Sequence, residues 1–157
     1  MRVCTFLAAD VPLPPHAPSQ AYLLCIDVER ETVYDGGADD NFFLYDFADA
    51  LQYSGKQYGV CLVWEYTEGR ATKMIEYIKT ALQHTEAVEL WHVWLMDSYD
   101  FEDRPFLHRQ TISVQALTAE RLRKLDHAEI WNTPDPQYPN RPPYDCLRIV
   151  RQLFARR

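Results

Sequence analysis

The sequence predicts an α+β fold, and three observations carry the prediction. Short apolar runs rich in β-branched and aromatic residues recur along the chain, one long amphipathic helical stripe stands between two of them, and proline-rich or acidic stretches separate the rest. The 157 residues have the length of one ordinary domain, and a 47 % hydrophobic content supplies a sizeable core.

Residues 3–9 read as a strand, followed by a stiff loop over 10–19 that holds four prolines. Residues 22–28 form a second apolar strand, and 29–35 return as a short third one before Gly36 and Gly37. Asp39, Asp40 and Asn41 offer a helix cap ahead of Phe43, Leu44, Phe47, Ala48 and Leu51. That spacing favours a helix over the strand that would place Leu44 and Asp46 on one face.

Residues 58–66 are the next strand, bounded by Gly55 and Gly69. The following helix sets Ala71, Met74, Ile78 and Leu82 on one stripe, with Lys73, Glu76 and Lys79 opposite in water. Residues 88–96 form a strand that is apolar on both faces, so something must cover each of them. Residues 97–109 read as an acidic loop and 111–116 as a strand. Thr118 then caps a short helix ending near Asp126. A short strand at 130–131, a proline-rich connector over 132–144 and a closing helix over 145–155 complete the reading.

From residue 58 onward the order strand, helix, strand, strand, helix, strand predicts a ferredoxin-like split βαβ core. Residues 1–57 are then an N-terminal extension of the same domain, and one sheet face needs a cover from that extension, from a second subunit or from a ligand.

Charge and composition narrow the function classes. A formal charge of -7 argues against nucleic acid and anionic membranes as partners, since both need a positive field. The charge is uneven: residues 1–118 carry 8 Lys/Arg against 18 Asp/Glu, and 119–157 carry 8 against 5. No apolar run approaches the roughly 20 residues that cross a bilayer, and no secretory pattern opens the chain, so a cytoplasmic protein is expected. Cys4, Cys25, Cys61 and Cys146 form no C-x-x-C pair, and three of them sit in apolar strand-like or helix-like segments that read as holding buried free thiols, in a reducing compartment.

No cofactor is expected, because the five glycines build no nucleotide fingerprint, P-loop or nucleophile elbow. The histidines lack metal-ligand spacing, and no metal is expected, although Asp97, Asp100 and Asp103 bring carboxylates into one loop. His92, inside a tryptophan-rich strand, is the candidate general base or ligand, with Cys61 as the candidate nucleophile on a neighbouring strand. Trp91 and Trp94 point to opposite faces of their strand, so one of them is expected at an interface or pocket.

The segment Phe6-Leu-Ala-Ala-Asp10 followed by Pro12-Leu-Pro14 resembles the opening of a group of small uncharacterised bacterial proteins. The resemblance covers about a dozen residues and implies a bacterial cytoplasmic protein, with no activity or site residues to carry over. The expected function is a non-catalytic interaction or regulatory domain of the immunity type, a homodimer whose acidic surface meets a basic protein partner. The alternative is a small enzyme or ligand-binding domain with a pocket around His92, Trp94 and the acidic loop 97–103.

Overall fold

The computed structural model describes residues 2–19, 25–34, 38–95, 106–126 and 143–152. Among these residues it shows an α+β fold with one six-stranded mixed sheet, a separate two-stranded hairpin and two α-helices. Strand β1 (Arg2–Ala9) runs through the middle of the large sheet. It is flanked by β5 (Tyr58–Val63) and β6 (Ala87–Leu95), both antiparallel to it. Those two flanking strands are therefore parallel to each other, and helix α1 (Glu68–Ala81) joins them across β1.

The second half repeats the theme without an inserted strand. β7 (Phe106–Ser113) and β8 (Pro143–Val150) are parallel neighbours, with α2 (Ala119–Asp126) between them in sequence. β8 pairs antiparallel with β6, and β4 (Phe43–Asp46) completes the far edge against β5. The order across the sheet is β4-β5-β1-β6-β8-β7. The hairpin is β2 (Cys25–Asp27) with β3 (Thr32–Tyr34), turning through Glu31 at φ 54°.

Both helices pack on one sheet face. Ala71, Met74 and Ile78 of α1 and Leu122 of α2 bury against Leu7, Val60, Leu62, Leu90, Leu147 and Ile149. Thr67 caps α1 by accepting from the Arg70 backbone N–H at 3.1 Å. Arg70 itself is fully buried, and its guanidinium donates to Glu65 O at 2.7 Å and to Ala38 O at 3.1 Å, pinning the chain before β4 to the start of the helix.

Several sequence expectations change. β1 is the centre of the sheet, not part of an extension, because its residues alternate between two buried faces. The strands β6 and β7, which a ferredoxin-like unit pairs as a hairpin, do not pair here; β6 lies between β1 and β8. The helix expected over 43–51 is instead β4 followed by a 3-10 helix, Ala48–Gln52. Leu44 is buried opposite Leu62, while Leu51, which a helical stripe would bury, is 56 % exposed.

The closing helix is also a strand. Over the described residues, β8 sends Leu147 and Ile149 to the helices and Cys146 and Val150 to the opposite face, so a run apolar on both faces mimicked helical spacing. Phe106 to Arg109, expected in a loop, open β7, and that strand ends at Ser113 before a 3-10 turn. The loop carrying Asp97, Asp100 and Asp103, the strand expected at 130–131, most of the proline-rich connector and the Gly36-Gly37 turn lie outside the described residues.

Candidate functional site

The sheet face away from the helices holds the aromatic residues that the sequence marks as a candidate surface. On it Cys4, Phe6, Ala8, Cys61, Trp91, Val93 and Cys146 bury together. The 3-10 helix supplies the cover: Phe47 and Tyr53 lie against Phe6, with ring centroids 5.2 and 5.6 Å away, and Phe6 stacks on Trp91 at 5.8 Å. Gly59 allows that cover to sit close, since a Cβ there would lie 2.3 Å from the Ala50 Cβ.

Trp91 is only 2 % exposed, its indole N–H donates to Glu89 Oε1 at 3.1 Å, and the Arg109 guanidinium lies 5.9 Å over its ring. The Ser54 hydroxyl donates to the same Glu89 oxygen at 2.5 Å, so the buried carboxylate is held by hydrogen bonds. The chain thus seals this part of the face with its own residues, and the interface expected at Trp91 is a core contact instead. Trp94 lies on β6 opposite Val3, and its side chain is outside the described residues.

Across β1 the same face opens. Phe43 and Tyr45 of β4 pair with Val63 and Cys61 of β5 and share their face, and the two aromatic rings stack at 5.4 Å. Tyr45 is 51 % exposed and Val63 45 %. The outer edge of β4 is partly closed by His16, whose backbone exchanges two hydrogen bonds with Leu44, at 3.0 and 2.9 Å. The stretch that holds β4 and β5, residues 38–68, carries six Asp/Glu and one Lys. At the opposite edge, residues 106–126 and 143–152 carry six Lys/Arg and three Asp/Glu.

His92 occupies the helix-facing side of β6. It is buried, shares a 2.9 Å hydrogen bond between Nδ1 and the Thr5 hydroxyl, and stands opposite Asp145 in the register with β8. Thr5, His92 and Asp145 therefore form a polar row across three strands within an otherwise apolar layer. A small cavity of about 330 Å³ reaches this end of the sheet, lined by Thr5, Cys4, Cys61, Trp64, His92 and Asp126. Trp64 closes one wall by donating its indole N–H to Asp126 Oδ1 at 2.9 Å.

Cys61 shares the face of Phe6, whereas His92 shares that of Leu90, with β1 between their strands. The alternation thus turns a nucleophile and its base to opposite sides, although both border the cavity. Cys146 is a poor nucleophile as well: burial first, then the nearby Glu89 carboxylate, pushes its thiol up to about 12. Cys4, Cys61 and Cys146 are reduced thiols, outside any disulfide. Among the described residues no group of three or more His, Cys, Asp or Glu is placed to hold a metal ion, and no helix is long and apolar enough to cross a membrane.

Sequence reasoning missed Tyr45, Val63 and the polar row. Tyr45 was hidden by the helical reading of its segment, and Asp145 by that of β8. The alternation of Phe43 and Tyr45 about Leu44 was the available signal for the first. Asp145 became visible only with the strand order. No family model, no curated protein and no solved structure matches the chain.

Proposed function

We propose that the protein is a non-catalytic interaction domain whose β4–β5 corner docks a basic protein partner. The observation that carries this reading is the half-exposed pair Tyr45 and Val63, set beside Phe43 on one sheet face. Tyrosine presents a large rigid surface with a polar tip and is a frequent anchor of protein interfaces. The excess of carboxylates in residues 38–68 selects a cationic partner and repels a second copy of the same corner. The homodimer expected through Trp91 loses its anchor because that ring is buried, so self-association becomes an alternative outcome of the test.

The experiment is affinity capture from a lysate of the source cells with the wild-type protein and a Tyr45→Ala/Val63→Ser variant in parallel. The captured proteins are identified and the leading one is purified for titration. A basic protein retained by the wild type, released by salt and lost with the variant supports the reading. Equal capture by both proteins, or a wild type found only as a self-dimer, overturns it.

The second reading, a ligand pocket at His92, is favoured by one observation: the cavity beside the Thr5–His92 hydrogen bond. A small molecule retained in native mass spectrometry and lost on His92→Gln supports it. Its absence leaves His92 as a hydrogen-bonded core residue.

A further inference from the structure

We infer that Cys4 and Cys61 form a site of reversible oxidative modification, at which hydrogen peroxide converts the two thiols into a cross-strand disulfide. The residues lie on adjacent antiparallel strands. Thr5 pairs with Leu62 and Phe6 with Cys61, which sets Cys4 and Cys61 diagonally on the same face of the sheet. Their sulfurs are 3.4 Å apart, although 57 positions separate them in sequence.

Closing that gap to the roughly 2.05 Å of a disulfide brings the sulfurs about 1.4 Å closer, a displacement shared between the two side chains and the strands that carry them. Access is provided by the cavity of about 330 Å³ that both cysteines line, which is roomy enough for a reagent little larger than water. Cys146, buried on the same face, does not border this cavity and has a thiol held protonated. The arrangement therefore singles out one pair among the described cysteines.

The chemistry balances in two steps. The sulfur of one thiol attacks a peroxide oxygen, the O–O bond breaks, and a sulfenic acid and one water form. The sulfur of the second thiol then displaces the sulfenic oxygen, which leaves with both remaining protons as a second water while the S–S bond forms. Two thiols are oxidised by two electrons in total, and one peroxide is reduced to two waters. A dithiol reductant reverses the change.

The test uses the full-length wild-type protein, reduced and then exposed to hydrogen peroxide under native conditions. Remaining thiols are blocked with an alkylating agent before digestion and mass spectrometry. The expected product is a linked peptide pair joining Cys4 to Cys61, lighter by two hydrogens, formed while circular dichroism stays native and abolished by dithiothreitol. Cys4→Ser is expected to lose that product and to trap Cys61 as a sulfenic acid that reacts with dimedone. Recovery of Cys4 and Cys61 as alkylated thiols, their separate over-oxidation, or a dominant link to Cys25 or Cys146 overturns the inference. The wild-type result decides the matter even if the serine variant fails to fold.

Discussion

The two halves of the sheet face opposite the helices carry similar residues and treat them in opposite ways. Over β1 and the Gly59 end of β5, the 3-10 helix with Phe47 and Tyr53 closes on Phe6, which in turn stacks on Trp91. Across β4 and β5, Tyr45 and Val63 remain about half exposed. One half is finished core, and the other exposes Tyr45 and Val63 within a stretch, residues 38–68, that carries six Asp/Glu and one Lys. The difference teaches that aromatic content alone does not locate an interface: the residue that matters is the one the chain leaves uncovered.

The largest effect is expected in the sealed half. Trp91→Ala removes a ring buried against Phe6 and strands the Glu89 carboxylate without one of its donors, so unfolding in denaturant should show a loss of about 3–5 kcal/mol. A loss below about 1 kcal/mol would mean that the seal is loose.

Breaking the seal from outside should cost less. In Gly59→Ala the new methyl meets both the Ala50 Cβ and the Phe47 carbonyl oxygen, and the 3-10 helix must shift. The expected destabilisation is about 1–3 kcal/mol, with faster hydrogen exchange at Tyr53 and Ser54, whose amides donate to Ala50 O.

Alkaline titration gives a smaller, graded effect. Burial and the Glu89 carboxylate raise the Cys146 thiol from 9.0 to about 12. Burial, helped by Asp46, raises the Tyr77 phenol above its ordinary 10.0 while it donates to Pro14 O at 2.7 Å. In both cases the folded state keeps a proton that the unfolded chain gives up. Stability is therefore fully present below pH 9 and declines as pH rises toward 12. Cys146→Ala and Tyr77→Phe should each flatten that decline, measured by denaturant midpoints across the range. An unchanged slope in both would remove these groups as its cause.

The smallest stability effect belongs to the open half. Tyr45→Ala, at a half-exposed edge position, should change the unfolding free energy by no more than about 0.5–1 kcal/mol. A loss as large as that of Trp91→Ala would show that the two halves are energetically alike.

Much of the fold was legible where one physical signal dominated. The stripe of Ala71, Met74 and Ile78 has helical spacing and no competing period, and α1 covers it. Residues 3–9 and 88–96 read as strands because apolar and β-branched residues fill both faces, and β1 and β6 sit centrally in the sheet. Residues 43–51 and 145–155 misled because short apolar runs satisfy both periods, and pairing with β5 and β6 decided between them. The sheet order depends on contacts between residues far apart in sequence, such as Glu89 with Arg148, which no local pattern encodes. The surface was least legible of all, since Trp91 and Tyr45 differ in exposure only once the fold sets Phe6 and Tyr53 against the first and leaves the second half exposed.

The most direct test of the docking role is the affinity of the captured basic partner for three purified proteins at low and high salt: wild type, Tyr45→Ala/Val63→Ser, and Lys124→Gln on α2 near the basic edge. The predicted result is binding that weakens with salt, survives Lys124→Gln and falls at least about tenfold with the double variant, matching the loss of interface anchors worth about 1.4 kcal/mol or more. Wild-type affinity in the double variant, or loss only with Lys124→Gln, would contradict the assignment of the β4–β5 corner.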